Sequence, residues 1–243
     1  MIRSVWRQYP ALREIAIFIG ALMVYQGSRA LVVGDTSTAI ENAAGVMAWE
    51  QSAGLFFELS IQRWALDNVE IVEILNYFYL SAHWIVTTAF FVWLWYQRRS
   101  VYPYVRNAFL AANGIALIIF MVYPVAPPRL LGGGFVDTLH RVSDVDLHGG
   151  ALSGLFNPYA AVPSMHFGYS IMIAIVAVWL IRNWPMRLLA FAYPVIVFFT
   201  IVGTANHFVI DAVAGFAVVA AGFALIAAWM WLRGRPIRAA SGA

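Results

Sequence analysis

Polar and apolar positions separate along this chain into long apolar runs broken by short charged segments. Six runs of about 20 residues each are long enough to cross a hydrocarbon core of roughly 30 Å. They predict helical spans over residues 12–33, 69–96, 104–122, 164–181, 186–203 and 207–232. The stretch 39–66 is also apolar, but Glu41, Glu50, Glu58, Gln62 and Arg63 interrupt it at near-helical spacing. That pattern predicts an amphipathic helix on the outer side, lying on the membrane or plugging the bundle. The expected fold is an all-α integral membrane protein: a six-transmembrane helix bundle forming one membrane domain over residues 1–243.

Composition reinforces the pattern, because 62% apolar and 11% charged residues lie far outside the range of soluble domains. Cysteine is absent, which removes disulfides, thiolate ligands and thiol nucleophiles from the options. Lysine is absent too, so all 15 cationic side chains are arginine and no lysine nucleophile exists. Nothing in the charge pattern suggests a nucleic-acid partner.

The arginines set the expected orientation. Arg3, Arg7, Arg13, Arg98, Arg99, Arg106, Arg182, Arg187, Arg233, Arg235 and Arg238 fall on one side of a six-span layout. The positive-inside rule makes that side, with both termini, cytoplasmic. Arg29, Arg63, Arg129 and Arg141 fall on the other side, with eleven of the 12 acidic residues. Ser28-Arg29-Ala30 faintly resembles a signal-peptide cleavage site. Cleavage would leave five spans and scramble the arginine pattern, so the first span is expected to be retained.

Candidate chemistry gathers at the outer ends of the spans. Asn76, Tyr79 and His83 share one face of the second span, and polar groups inside a membrane default to a functional reading, with a buried structural histidine as the alternative. The third span runs into YPVAPPRLL and three glycines. Its prolines stop the helix and hold Arg129, whose guanidinium fork suits a phosphate, at the surface. In the loop 132–160, Asp137, Asp144, Asp146, His140 and His148 read as a solvated lid. Ser164 is a natural N-cap for the fourth span, and His166 falls in that helix's first turn, where unpaired amides favour an anion. His207 opens the sixth span, and Asp211 lies four residues on, on the same face. Such spacing lets the carboxylate accept from one ring nitrogen and leaves the other as nucleophile or base; an ordinary cap-region ion pair is the plainer alternative. Arg129, His166 and His207 all emerge on the same expected side.

The three segments YPVAPPRLL, AVPSMHFG and TANHFVIDAVAG, in that order, resemble the type 2 phosphatidic acid phosphatase superfamily, and within it the branch that includes the fungal inositol phosphorylceramide synthases. The likeness extends over residues 76–232. It implies that His207 is the nucleophile forming a phosphohistidine and that Asp211 orients it. It also implies that His166 protonates the leaving oxygen and then activates the incoming hydroxyl, and that Ser164 and Arg129 contact phosphate. Asn76, Tyr79 and His83 are further candidate substrate contacts. The chain departs from the phosphatase pattern in lacking the first-motif lysine, in having Leu130 after Arg129 and Met165 before His166, and in having no arginine near Thr200 and Ile201.

The expected function is phosphoryl transfer on a lipid phosphate or phosphodiester at the extracytoplasmic face of the cell membrane, either as phosphatase or as a phosphotransferase with a polyol acceptor such as inositol. No metal or other cofactor is required by that chemistry. The rivals are a zinc site made of His166, His207 and Asp211, a transporter or channel lined by His83 and Arg29, and a catalytically inactive relative acting as a scaffold.

Overall fold

A computed structural model of the chain describes residues 8–32, 36–145 and 157–234. Arg3, Arg7, Asp146, His148, Arg235 and Arg238 lie outside the described residues, as does the side chain of Arg29. Among the described residues the chain is helical, with one isolated parallel bridge between Val125 and Ala160. In chain order the helices are α1 (Pro10–Val32), α2 (Thr36–Ser52), α3 (Glu58–Leu66), α4 (Val69–Gln97) and α5 (Tyr102–Val122), followed by α6 (Thr138–Ser143), α7 (Met165–Leu180), α8 (Trp184–Gly203) and α9 (Val209–Leu232), with a single 3₁₀ turn at Pro128–Leu130.

Helices stand where all six spans were expected, and four of them, α4, α5, α8 and α9, are long and apolar enough to cross a membrane. The chain is therefore a multi-pass membrane protein. Outward-facing apolar side chains such as Ile74, Ile85, Val122, Leu189, Phe191 and Trp231 are exposed, as lipid-facing residues are on helices that are hydrophobic all round. Local chemistry sets the ends. Asn183 caps α8 by accepting from the Met186 amide at 3.2 Å, with proline next in line. α5 also has a proline, Pro103, in its first turn, though Val101 ahead of it offers no side-chain cap.

α9 is the axis, packed against α5 and α7, while α7 also pairs with α8. Glycine permits the closest approaches. A Cβ on Gly215 would sit 2.2 Å from the Ser164 carbonyl oxygen, and one on Gly222 would sit 2.6 Å from the Ala108 carbonyl. Small residues substitute here for the hydrophobic drive that is missing between helices in lipid. Around them Phe91, Leu94, Val105, Ala112, Met172 and Val219 form the main apolar core. α1 is fastened to α5 at the end remote from the site, where Glu14 accepts from Arg106 and from the Tyr102 hydroxyl.

Two expectations change in detail. The single amphipathic helix over 39–66 is two helices, and its polar residues Glu50, Glu58 and Gln62 point into the protein, each essentially fully buried. They face inward because they have partners there: Gln62 exchanges two hydrogen bonds with the Val136 backbone, at 2.8 and 3.0 Å. The stretch read as a solvated lid is likewise anchored in its described part. Asp137 caps α6, and Thr138 is buried against Asn76.

Candidate active site

The turn after α8 sets the stage. The Ala205 carbonyl accepts from the Arg129 amide at 2.9 Å, joining this turn to the proline-rich turn after α5. Ala205 adopts a positive φ of 52°, which reverses the chain tightly before His207. From the other side, Val125 and Ala161 pair through the backbone, bringing the segment ahead of α7 alongside. The ends of α5, α7, α8 and α9 that carry the motifs therefore meet at one end of the bundle.

His207 is almost wholly buried, and its Nδ1 faces two oxygens, the Ala161 carbonyl at 2.9 Å and Asp211 Oδ2 at 3.2 Å. A ring nitrogen between two acceptors carries the hydrogen. In the neutral ring Nε2 is then the bare lone pair, held at a fixed angle. Asp211 Oδ2 also accepts from the Phe208 amide at 2.8 Å, so the carboxylate is itself immobilised. The same helix turn receives α7: the Ser164 amide donates to the Asp211 carbonyl at 2.9 Å. Ser164 caps α7 through its side chain, though weakly, at 3.5 Å from the Phe167 amide.

His166 comes from that first turn of α7, and its ring lies 5.9 Å from that of His207, centroid to centroid. Its Nε2 is buried with no partner among the described residues. Tyr79 stacks on the His166 ring at 4.3 Å and 21°, and His83 packs edge-on at 4.3 Å and 67°. These two residues of α4 thus enter the site by holding His166. Asn76, one turn away on the same face, does not join them. Its amide donates to the Thr138 carbonyl and the Ser143 hydroxyl and accepts from the Thr138 hydroxyl, all at 2.8 Å. Every group that Asn76 could offer a substrate is therefore occupied in clipping α6 to α4.

Arg129 is buried and braced: Nη1 donates to Asn206 Oδ1 at 2.8 Å and Nε to Asp137 Oδ2 at 3.2 Å. Asn206 precedes His207 and is itself held, donating to the Thr204 hydroxyl at 2.7 Å. The guanidinium is thereby fixed to the residue next to the imidazole, with Nη2 free of any described partner. Among the described residues no group of three or more histidine and carboxylate ligands is placed to hold a metal ion.

Sequence reasoning missed four residues here. Asn206 and Asp137 brace Arg129, and Glu58 and Glu50 accept from the Val209 and Ile210 amides at 2.9 and 2.7 Å. Carboxylates inside an otherwise apolar stretch were the available signal for the last two.

A bundle of apolar helices carrying two imidazoles, a carboxylate and a braced guanidinium at one end defines a membrane protein equipped for nucleophilic and acid–base chemistry at its rim. The chain matches the PAP2 superfamily over residues 44–225 and belongs to it. Members of that superfamily are generally phosphatases and phosphotransferases, so membership points to a lipid phosphatase or phosphotransferase. No curated protein and no solved structure matches the chain.

Proposed function

We propose that this protein transfers a phosphoryl group from a membrane lipid phosphate through a covalent intermediate on His207, and passes it to water or to a polyol hydroxyl. The observation that supports this most is the tautomer that the surroundings dictate: with Nδ1 engaged by the Ala161 carbonyl and Asp211, the nucleophilic lone pair sits at Nε2. In the first step Nε2 attacks phosphorus, the bond to the lipid oxygen breaks, and His166 gives that oxygen a proton. In the second step His166 takes a proton from water or an alcohol, whose oxygen attacks the phosphohistidine and frees His207. The unpartnered Nε2 of His166 fits a group that must give and then regain one proton. Arg129 Nη2 and the first-turn amides of α7 would carry the phosphoryl charge, since such transfer is mostly positioning and charge stabilisation.

The reading includes six spans with both termini cytoplasmic. Arg98, Arg182 and Arg233 lie at the bundle end opposite the two histidines, and the Arg98 side chain reaches the Leu180 carbonyl at 3.4 Å. The positive-inside rule then puts the site on the extracytoplasmic face. α7 has 16 residues, about 24 Å at ~1.5 Å per residue, which is short of a core of roughly 30 Å. A shortfall at its start would recess His166 to about the depth of a lipid headgroup ester. The anchored, lysine-free first motif resembles the branch of inositol phosphorylceramide synthases, which favours an alcohol as acceptor. Incubating the purified protein with labelled phosphatidate, with and without inositol, decides the acceptor. Label in inositol phosphate supports transfer, whereas free phosphate regardless of inositol means hydrolysis. Activity lost to a chelator and restored by zinc would replace the phosphohistidine with a metal mechanism.

A further inference from the structure

The first turn of α9 is closed in an unusual way. Its first three amides, which at a helix start lack intrahelical partners, are taken by carboxyl groups: Phe208 N by Asp211, Val209 N by Glu58 and Ile210 N by Glu50. All three side chains are fully buried. Glu50 comes from α2 and Glu58 from α3, 160 and 151 residues before the amides they hold. No described arginine or histidine forms a salt bridge with either. The second oxygen of each, Oε2, has no described hydrogen-bond partner, and because the first oxygens hold the adjacent amides of Val209 and Ile210, the two carboxyls lie side by side. Two carboxylates this close and this dry cannot both ionise. A shared proton answers both the orphaned oxygens and the missing cation.

We propose that Glu50 and Glu58 form a one-proton carboxyl pair that positions the nucleophile, holding the α9 first turn so that His207 and Asp211 keep their angle. They are positioning residues and touch no reacting atom. While the proton is present the pair carries one negative charge against the positive end of α9, a favourable placement. When the proton leaves, a second buried charge appears beside Asp211 and drives the carboxyls apart. The amide anchors at Val209 and Ile210 then slacken, and the His207 lone pair loses its aim. Among the described residues, the titratable groups facing Glu50 are Glu58 from α3 and, from α9, Asp211 with its partner His207.

Burial first, then hydrogen bonding to Glu58, pushes the Glu50 carboxyl up from 4.5 to about 9. A folded value above the unfolded one means the folded state holds a proton that the unfolded chain has released. The pair's contribution to stability is therefore complete below pH 4.5 and is lost as pH climbs to about 9.

The activity arm of the test rests on the phosphoryl-transfer reading; the stability arm does not. Glu50→Gln copies the protonated acid, with an oxygen for the Ile210 amide and amide hydrogens for Glu58, and cannot titrate. In lipid nanodiscs, the melting temperature of the unsubstituted protein is expected to fall more steeply between pH 5 and pH 9 than that of Glu50→Gln. Turnover of labelled phosphatidate is expected to drop at pH 9 relative to pH 7 in the former and to drop less in the latter. Glu50→Ala should lower turnover at pH 7 by about a hundredfold, the scale of a 1 Å misplacement, and Glu50→Gln should recover most of it. Parallel melting curves for the two proteins across this range would overturn the proposal, as would full turnover in folded Glu50→Ala. If the unsubstituted protein turns over no lipid phosphate, the proposed function fails, and the melting curves still decide the pair.

Discussion

At the scale of single residues, the site is an exercise in removing alternatives from each polar atom. His207 Nδ1 has two oxygens to donate to, Asp211 Oδ2 has two donors, and Arg129 is gripped at Nε and Nη1, so that in the proposed reaction substrate is met by Nε2 of His207 and Nη2 of Arg129. Asp211→Asn tests this directly. With its oxygen in the place of Oδ2 the amide can still accept from His207 and Phe208, but it lacks the charge that steadies a positive ring. Turnover is expected to fall by about 10²–10⁴-fold while the melting temperature shifts little, with kinetics and calorimetry as the measurements. His166→Ala is expected to slow both half-reactions, so labelled phosphate should neither load nor discharge at the normal rate in rapid-quench experiments. By contrast, Asn76→Ala is expected to act on stability, because all of its bonds run to α6. Cutting a buried, fully satisfied network of this kind costs about 1–3 kcal/mol per orphaned group.

At the scale of elements, the separation of the His166 and His207 rings is set by how closely α7 can lie on α9. Gly215 allows that approach: a methyl group there would meet the Ser164 carbonyl at 2.2 Å, and that carbonyl belongs to the residue two before His166. Backbone cannot yield as a side-chain tip can. Gly215→Ala is expected to push the two helix starts apart, lowering both activity and melting temperature. Unchanged kinetics in that variant would show that the helix contact does not govern the site. The elements were legible in the sequence because apolar runs and capping residues mark them. All six expected spans coincide with helices to within a few residues, and Ser164 caps α7 as its position suggested. Less could be seen where a partner lay far along the chain. Glu50 and Glu58 read only as polar positions of an amphipathic helix lying on the membrane or plugging the bundle, because nothing local reveals that the amides they meet belong to residues 209 and 210. Asn76 shares a face with Tyr79 and His83, and the spacing could not show that α6 covers the first of them and His166 the other two.

At the scale of the whole molecule, the claim is one of sidedness: a histidine site at one end, arginines at the other. The absence of cysteine makes this simple to examine, since any single cysteine introduced is the only thiol. Asp67→Cys, in the turn before α4, should react with a membrane-impermeant maleimide from outside intact cells, and Arg99→Cys, in the turn after it, only once the membrane is opened. The reverse pattern would place the site on the cytoplasmic face. The choice of acceptor and the effect of the carboxyl pair on turnover both presuppose that the imidazole of His207 becomes phosphorylated. The most direct measurement is therefore to quench the enzyme during turnover of lipid labelled in its phosphate and ask what the protein carries. Phosphate on the protein is expected to be stable in alkali, released by acid and absent from His207→Ala; label that survives acid, or that persists without His207, would rule out a phosphohistidine at this position.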